Sequence, residues 1–297
     1  MENKGFDKDS LYRIVSMIFG TIFMVSFVML ILHFMLFKKN DENLKDVQKI
    51  ADVDTEVEED EAEETTPLLK TIDFSALQEK YPDIYAWVYV PGTLVNYPIL
   101  QSGEDVDTDY YLEHNLDGTA GLPGCIYTQK VNSKDFTDRD TIVYGHNMRN
   151  DTMFGSLHNY EDETFFNEHP YIYIYTPKQN LVYQIFAAYA SDDKLILDYY
   201  DYFQDDATFL GYLDDVQHNT SLKSNTNQEM QFTVEDKILT LSTCNGSSST
   251  RYLVIGRLLS DAEVSNLGEE TADSVQTEAE NALHIMSGEE QVNEQGE

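Results

Sequence analysis

From Ile14 to Phe37 the chain reads IVSMIFGTIFMVSFVMLILHFMLF, without one Asp, Glu, Lys or Arg. About 20 consecutive apolar residues cross the hydrocarbon core of a bilayer as a helix. A cleaved secretory signal would have a shorter apolar region and a small-residue cleavage site. Here the run passes straight into Lys38 and Lys39, so residues 14–37 predict an uncleaved transmembrane anchor between a short N-terminal segment, 1–13, and an acidic tether over 38–66. Charge alone leaves the orientation open, because Lys4, Lys8 and Arg13 precede the span while Lys38, Lys39, Lys45 and Lys49 follow it.

Beyond residue 66 the pattern changes to short runs rich in β-branched and aromatic residues, separated by turn formers. IDFSALQEKYPD predicts a helix with Asp73 as N-cap and Pro82 past its end. YAWVYVPGT and VNYPILQ predict strands about a Pro-Gly turn, followed by GCIYTQ, TIVYGH, YIYIYTP, LVYQIFAAYA, KILTLSTC and RYLVIGRLL. A helical pattern from Ala207 to Gln217, and a shorter one from Met153 to Tyr160, interrupt the strands. The expectation is a mainly β fold: a closed or nearly closed barrel with an N-terminal helix and helical insertions, occupying residues 67–260.

Charge then narrows the partners. The chain has 19 Lys+Arg against 54 Asp+Glu, a formal net charge of −35. That excludes nucleic acid, whose affinity comes from clustered basic residues, and disfavours docking on an anionic membrane surface. The excess is unevenly placed. Asp52 to Glu64, DVDTEVEEDEAEE, is acidic without an apolar face and reads as a self-repelling spacer; it lacks the glycine-containing pattern of an EF-hand. No Lys or Arg follows Arg257, and residues 261–297 read as an acidic, disordered tail. Cys125 and Cys244 are too few for a disulfide framework, and neither has a histidine at ligand spacing, so no metal or other cofactor is expected.

The chemistry concentrates in TLSTCNGSSSTRYLVIGRL. Alternation along KILTLSTC puts Ile238, Thr240, Ser242 and Cys244 on one face and Leu239, Leu241 and Thr243 on the other. The loop after Cys244 has no bulky residue to cover the sulfur, whereas inert cysteines sit among apolar neighbours. If the flanking strands pair antiparallel, Arg251 returns close to Cys244, where a guanidinium can stabilise an oxyanion; a surface arginine at a strand start is the alternative. Arg257 shares its parity but lies about 20 Å further along the strand. A thiol also needs a base. His146 in TIVYGHNM follows an apolar strand and a glycine that permits a turn, while His114, His158, His169 and His218 lie in polar loop or helix-like segments.

Taken together, TLSTC closely followed by Arg251, the upstream YGHNMRNDTMFGSL, and DFSALQEKYPDIYAWVYVPGT, VNYPILQ, YYLEHNLDG, GCIYT and FFNEHPYIYIYTP in that order resemble the sortase family, class B in particular, from about Ile72 to Leu259. The resemblance implies a cysteine transpeptidase on the outer face of a Gram-positive cell membrane. Such an enzyme cleaves a C-terminal sorting motif of secreted proteins and passes the acyl group to a cell-wall (peptidoglycan) precursor amine or a pilin lysine. By motif it makes Cys244 the nucleophile, His146 the general acid/base and Arg251 the orienting, oxyanion-stabilising cation. It also places the N-terminus inside and the domain outside. Tyr144, Ser242 and Thr243 are candidates to bind substrate. Two departures stand out: Asn245 occupies a position where many class B members carry an acid, and the loop from Cys244 to Arg251 is short. Two other readings are a membrane-anchored thiol endopeptidase that releases product to water, and a non-catalytic surface-binding barrel with an unreactive Cys244. Cys125 in LPGCIYT is expected to be a packed side chain at a strand start.

Overall fold

The computed structural model describes residues 8–51, 71–221, 223–246 and 249–267. Its centre is a closed barrel in which every predicted strand has a counterpart. These are β1 (Ile84–Tyr89), β2 (Asn96–Leu100), β3 (Ile126–Thr128), β4 (Asp140–Tyr144), β5 (Tyr171–Tyr175), β6 (Asn180–Asp192), β8 (Ile238–Cys244) and β9 (Thr250–Leu258), with the two-residue β7 (Asn225–Thr226) added to the outside of β6. The order is β5-β1-β2-β3-β4-β8-β9-β6, and pairing of β5 with β6 closes the ring. β2–β3 and β4–β8 are parallel, while the other neighbours are antiparallel. Parallel neighbours need long crossovers: residues 101–125 connect β2 to β3, and residues 145–237, which include β5, β6 and β7, connect β4 to β8.

Both faces of the β4–β8–β9 wall are covered. Leu239, Leu241, Val143, Tyr252 and Val254 point into the barrel, whereas Ile142, Ile238, Leu253 and Ile255 pack outside it against Phe209, Tyr212 and Leu213 of α5 (Asp206–Gln217). Two-sided burial explains why these strands read as nearly continuous apolar runs rather than strict alternations. Burial on both faces runs through Thr243 and first gives way at Cys244.

Helices start where side-chain caps are available. Asp73 Oδ1 accepts from the Ala76 N–H at 3.0 Å at the head of α2 (Phe74–Lys80), and Asp205 Oδ1 accepts from the Thr208 N–H at 2.9 Å at the head of α5. The pattern at Met153 to Tyr160 becomes a 3-10 turn over Gly155–Glu161, followed by the short α3 (Glu163–Glu168), with Asp162 as its cap. A further single turn, α4 (Ile196–Tyr199), follows β6.

Two segments differ from the sequence expectation. α1 (Lys8–Ala51) is one unbroken helix, so residues 38–51, expected to begin the spacer, are helical. Val47 and Ala51 are buried with Ile50 packed against their cluster, Leu44 packs against the barrel-interior cluster, and Gln48 Nε2 donates to the Asn96 carbonyl at 2.8 Å. Leu44, Val47, Ile50 and Ala51 recur at the helical period and give that stretch an apolar stripe. The acidic run 52–64 lies outside the described residues.

The second difference follows β9. Residues 261–267 form a helix, α6, instead of opening a disordered tail. Ser260 and Glu263 cap it reciprocally: the Ser260 N–H donates to Glu263 Oε2 at 2.8 Å and the Glu263 N–H to Ser260 Oγ at 3.4 Å. This is a Ser-x-x-Glu capping box. Val264 and Leu267 then pack against the cluster around Trp87 and Leu259. Residues 268–297 lie outside the described residues.

Candidate active site

β8 and β9 pair antiparallel with Cys244 directly opposite Arg251, the condition under which the guanidinium returns to the sulfur. Arg251 Nη1 donates to Cys244 Sγ at 3.3 Å. Nη2 of the same group binds Asp193 Oδ1 at 2.6 Å, a carboxylate on the loop between β6 and α4. Asn245 closes the hairpin through its backbone, with its N–H donating to the Thr250 carbonyl at 3.0 Å. The acid that holds the arginine therefore comes from a different strand's exit, which local sequence around the cysteine cannot reveal. Arg257 sits opposite Ile238 at the other end of β9. It is occupied by Asp236 at 3.5 Å and Glu263 at 2.6 Å, and has no part in the cleft.

His146 arrives from β4. The parallel β4–β8 pairing is extended by the Gly145 N–H donating to the Ser242 carbonyl at 3.2 Å, which carries the next residue up beside the end of β8. Gly145 is not among the glycines with positive φ, so the turn explanation for it does not hold. A Cβ there would lie 2.4 Å from Ile126 Cδ1 and 2.8 Å from Phe154 Cδ2, and the glycine is required by packing inside the barrel. His146 Nε2 is 2.7 Å from the Leu112 carbonyl oxygen. A carbonyl only accepts, so Nε2 carries the proton and Nδ1 is left with the lone pair in the neutral ring. Leu112 is held in turn by close backbone approach. At Gly124 (φ +65°) a Cβ would sit 2.4 Å from that same carbonyl oxygen, and the Cys125 N–H donates to the Tyr111 carbonyl at 2.8 Å.

His146, Cys244 and Arg251 line one open cavity of about 170 Å³, together with Tyr144, Ser242 and Asp193. Cys244 is half-buried. Tyr144 stacks on Tyr127, with ring centroids 5.5 Å apart, and burial pushes its phenol well above the usual tyrosine range, so it stays a neutral hydroxyl. Ser242 shares Cys244's parity and faces the same side. Thr243 belongs to the opposite parity; its hydroxyl is buried and meets no hydrogen-bond partner among the described residues. All three candidate binding residues line the cavity; Tyr144 and Ser242 share the face of Cys244, whereas the Thr243 hydroxyl is buried on the opposite face.

Cys125 is buried among Trp87, Leu100 and Tyr127, and burial pushes its thiol far above the ordinary cysteine value. Both cysteines are free. Among the described residues no cluster of His, Cys, Asp and Glu is placed to hold a metal ion.

One histidine set aside on sequence also reaches the site. His158 Nε2 lies 3.3 Å from the Cys244 carbonyl oxygen, on the far side of β8 from the thiol. Its readable signal is the His158–Glu161 pair at i,i+3, which marks a helical turn but says nothing of its neighbour across the fold.

A family model described as the sortase domain matches residues 88–259. Sortase B of Listeria monocytogenes is 33% identical over 188 residues, covering 62% of this chain and 72% of that protein. Among solved structures, the Staphylococcus aureus sortase B–substrate complex matches with a TM-score of 0.61 at 25% identity, over 76% of this chain and 99% of the other. Sortase B from B. anthracis in complex with AAEK1 matches with a TM-score of 0.60 at 30% identity, with the same coverage.

Proposed function

This chain belongs to the sortase family, and from that premise we propose that Cys244, His146 and Arg251 carry its cysteine transpeptidase chemistry. The observation that bears most weight is the contact of the Arg251 guanidinium with the Cys244 sulfur at 3.3 Å, in a cavity that His146 also lines. The guanidinium stands beside the sulfur, placed to meet negative charge developing one bond away; Lys194, which also lines the cavity, is turned to Asp192, Tyr199 and Tyr200.

The steps follow from the atoms present. Cys244 Sγ as thiolate attacks the scissile carbonyl carbon, the C–O π pair moves to oxygen, and Arg251 stabilises that oxyanion. His146 enters this half as imidazolium. Its Nε2–H stays on the Leu112 carbonyl, and Nδ1–H is given to the departing amine as the C–N bond breaks. A thioester on Cys244 remains. An incoming amine then attacks it, neutral His146 Nδ1 takes the amine's proton, and the thiolate leaves. Asp193 keeps the guanidinium in its plane through both halves. Tyr144 and Ser242 are placed to contact the peptide.

Sortases act on sorting-motif substrates and on cell-wall or pilin components. For this chain the reading is a secreted protein with a C-terminal sorting motif as acyl donor and a peptidoglycan-precursor amine, or a pilin lysine, as acceptor. Residues 1–13 lie in the cytoplasm, residues 14–37 cross the membrane, and the catalytic domain, residues 67–260, stands outside. Support for the anchor is that α1 is long and apolar enough to cross a membrane. Product analysis with a sorting-motif peptide and a graded series of amines tests the transfer: the amide product should rise with amine concentration at the expense of free acid. Free acid alone at every concentration would make the enzyme a hydrolase.

A further inference from the structure

Three neighbours of the proposed catalytic groups converge on one point behind the cleft. Asn147, the residue after His146, donates from Nδ2 to the carbonyl oxygen of Cys244 at 2.8 Å. The same Nδ2 lies 3.0 Å from His158 Nε2. His158 Nδ1 lies 2.9 Å from Glu161 Oε1, and the other oxygen of Glu161 is ion-paired with Lys223. The His158 ring also stacks on Tyr252, with centroids 4.7 Å apart; Tyr252 precedes Leu253 and follows Arg251 on β9, so it points to the face opposite the guanidinium.

The shorter contacts set the protons: Asn147 Nδ2 approaches His158 Nε2 to 3.0 Å, closer than the Cys244 carbonyl at 3.3 Å, which that nitrogen then faces without a hydrogen bond. An amide nitrogen has two hydrogens and no acceptor capacity, so one hydrogen serves the Cys244 carbonyl and the other the lone pair of His158 Nε2. His158 is then the Nδ1–H tautomer and donates to Glu161. Every donor meets an acceptor, and each group's orientation is fixed by the next.

We propose that Asn147, His158 and Glu161 form a positioning brace that holds the backbones of His146, Cys244 and Arg251 in mutual register. None of the three touches the substrate cavity's reacting atoms. They act through the residues that do, and the proposal rests on the assignment of those three as the catalytic groups. The backbone wrapped around the brace agrees with this role. The Phe154 N–H donates to the His146 carbonyl at 3.0 Å, Asn147 bridges Met153, and at Gly155 a Cβ would come within 2.7 Å of the Met148 carbonyl. The segment GHNMRNDTMFGSLHNYE is thus one folded loop whose two ends, His146 and His158, meet Cys244 from opposite sides. The histidine chemistry and its alignment are encoded together.

The test uses the full chain in detergent with a sorting-motif peptide, comparing Asn147→Ala, His158→Ala, the double variant and His158→Gln, with Cys244→Ala as the zero. A displacement of the order of an ångström at reacting groups lowers turnover by roughly 10- to 100-fold. Each single variant should lose turnover in that range with KM within about twofold. The double variant should lose little more than the worse single, because the residues act as one unit. His158→Gln, whose side-chain oxygen can accept from Asn147, should recover part of the loss at unchanged melting temperature. Full turnover in the singles, additive losses, or losses that follow KM or melting temperature alone would overturn the brace. Residual turnover in Cys244→Ala would instead overturn the catalytic assignment beneath it.

Discussion

The two cysteines lie in neighbouring parts of one barrel and are placed for opposite behaviour. Cys125 precedes β3, sealed among Trp87, Leu100 and Tyr127, with its thiol pushed up by burial. Cys244 ends β8 where the outer covering of the wall stops, half-exposed, and its sulfur accepts from a guanidinium. Residue type is the same in the two regions; what differs is where the strand ends and which charge stands opposite. A strand that terminates under aromatic rings yields a packing group. One that terminates beside an arginine, in a cavity that a histidine also lines, is the proposed nucleophile.

The sharpest way to break this contrast is to exchange the consequences. Cys244→Ala should abolish transfer with the fold intact, while Cys125→Ala should keep turnover and lose only stability, as expected for a buried small side chain. A folded but inactive Cys125→Ala would reverse the assignment. Next in size is the arginine. Arg251→Ala should lower turnover by roughly 10²- to 10³-fold, the scale for removing an oxyanion donor. Arg257→Ala, at the far end of the same strand with Asp236 and Glu263, should leave turnover unchanged; equal losses in the two would mean that β9's charge matters and its position does not.

A smaller effect is expected at Asp193. Its pair with Arg251 is partly exposed, with side-chain exposures of 26% for the arginine and 42% for the aspartate, and solvent limits such pairs to about 1 kcal/mol. Asp193→Asn should therefore cost only about fivefold in turnover, measured with the same peptide, and less again at high salt. A loss as large as that of Arg251→Ala would mean that Asp193 acts in the chemistry directly.

The smallest effect on activity concerns the root of β4. Asp140 is buried beneath the wall, its Oδ2 accepts from the Thr240 hydroxyl at 3.2 Å, and burial pushes its carboxyl from 3.8 up to about 8. Between those values the unfolded chain has released a proton that the folded chain keeps. Stability is thus full below pH 3.8 and falls as pH rises toward 8. Asp140→Asn should raise the melting temperature at pH 7, with the gain shrinking toward pH 4 and turnover nearly constant. A variant less stable at pH 7 would show that the carboxyl is held by something besides desolvation.

The barrel was legible because its strands are short, β-branched and aromatic, and punctuated by Pro-Gly, Asn-Gly and Asp-rich turns. Asp73 announced α2 by its capping chemistry. What escaped was structure whose cause lies elsewhere in the chain. The stripe of α1 past Lys38 was masked by its charges, and α6 by the acidity of the segment around a capping box. β7 has only two residues and exists because β6 offers an edge. In the site, Cys244 and Arg251 could be paired from one hairpin, whereas Asp193 and His158 reach it through the β6–α4 loop and a 3-10 turn, contacts that no local spacing encodes. Gly145 was noticed for the wrong reason: its neighbours in space, Ile126 and Phe154, explain it, and its backbone angles do not.

The central claim, that the sulfur beside Arg251 forms the covalent bond, is tested most directly by intact-mass and peptide-mapping mass spectrometry of the enzyme quenched during turnover of a sorting-motif peptide. The account predicts one acyl adduct, labile to hydroxylamine, on the peptide carrying Cys244. An adduct on Cys125, on any other side chain, or none under conditions where product accumulates would contradict it.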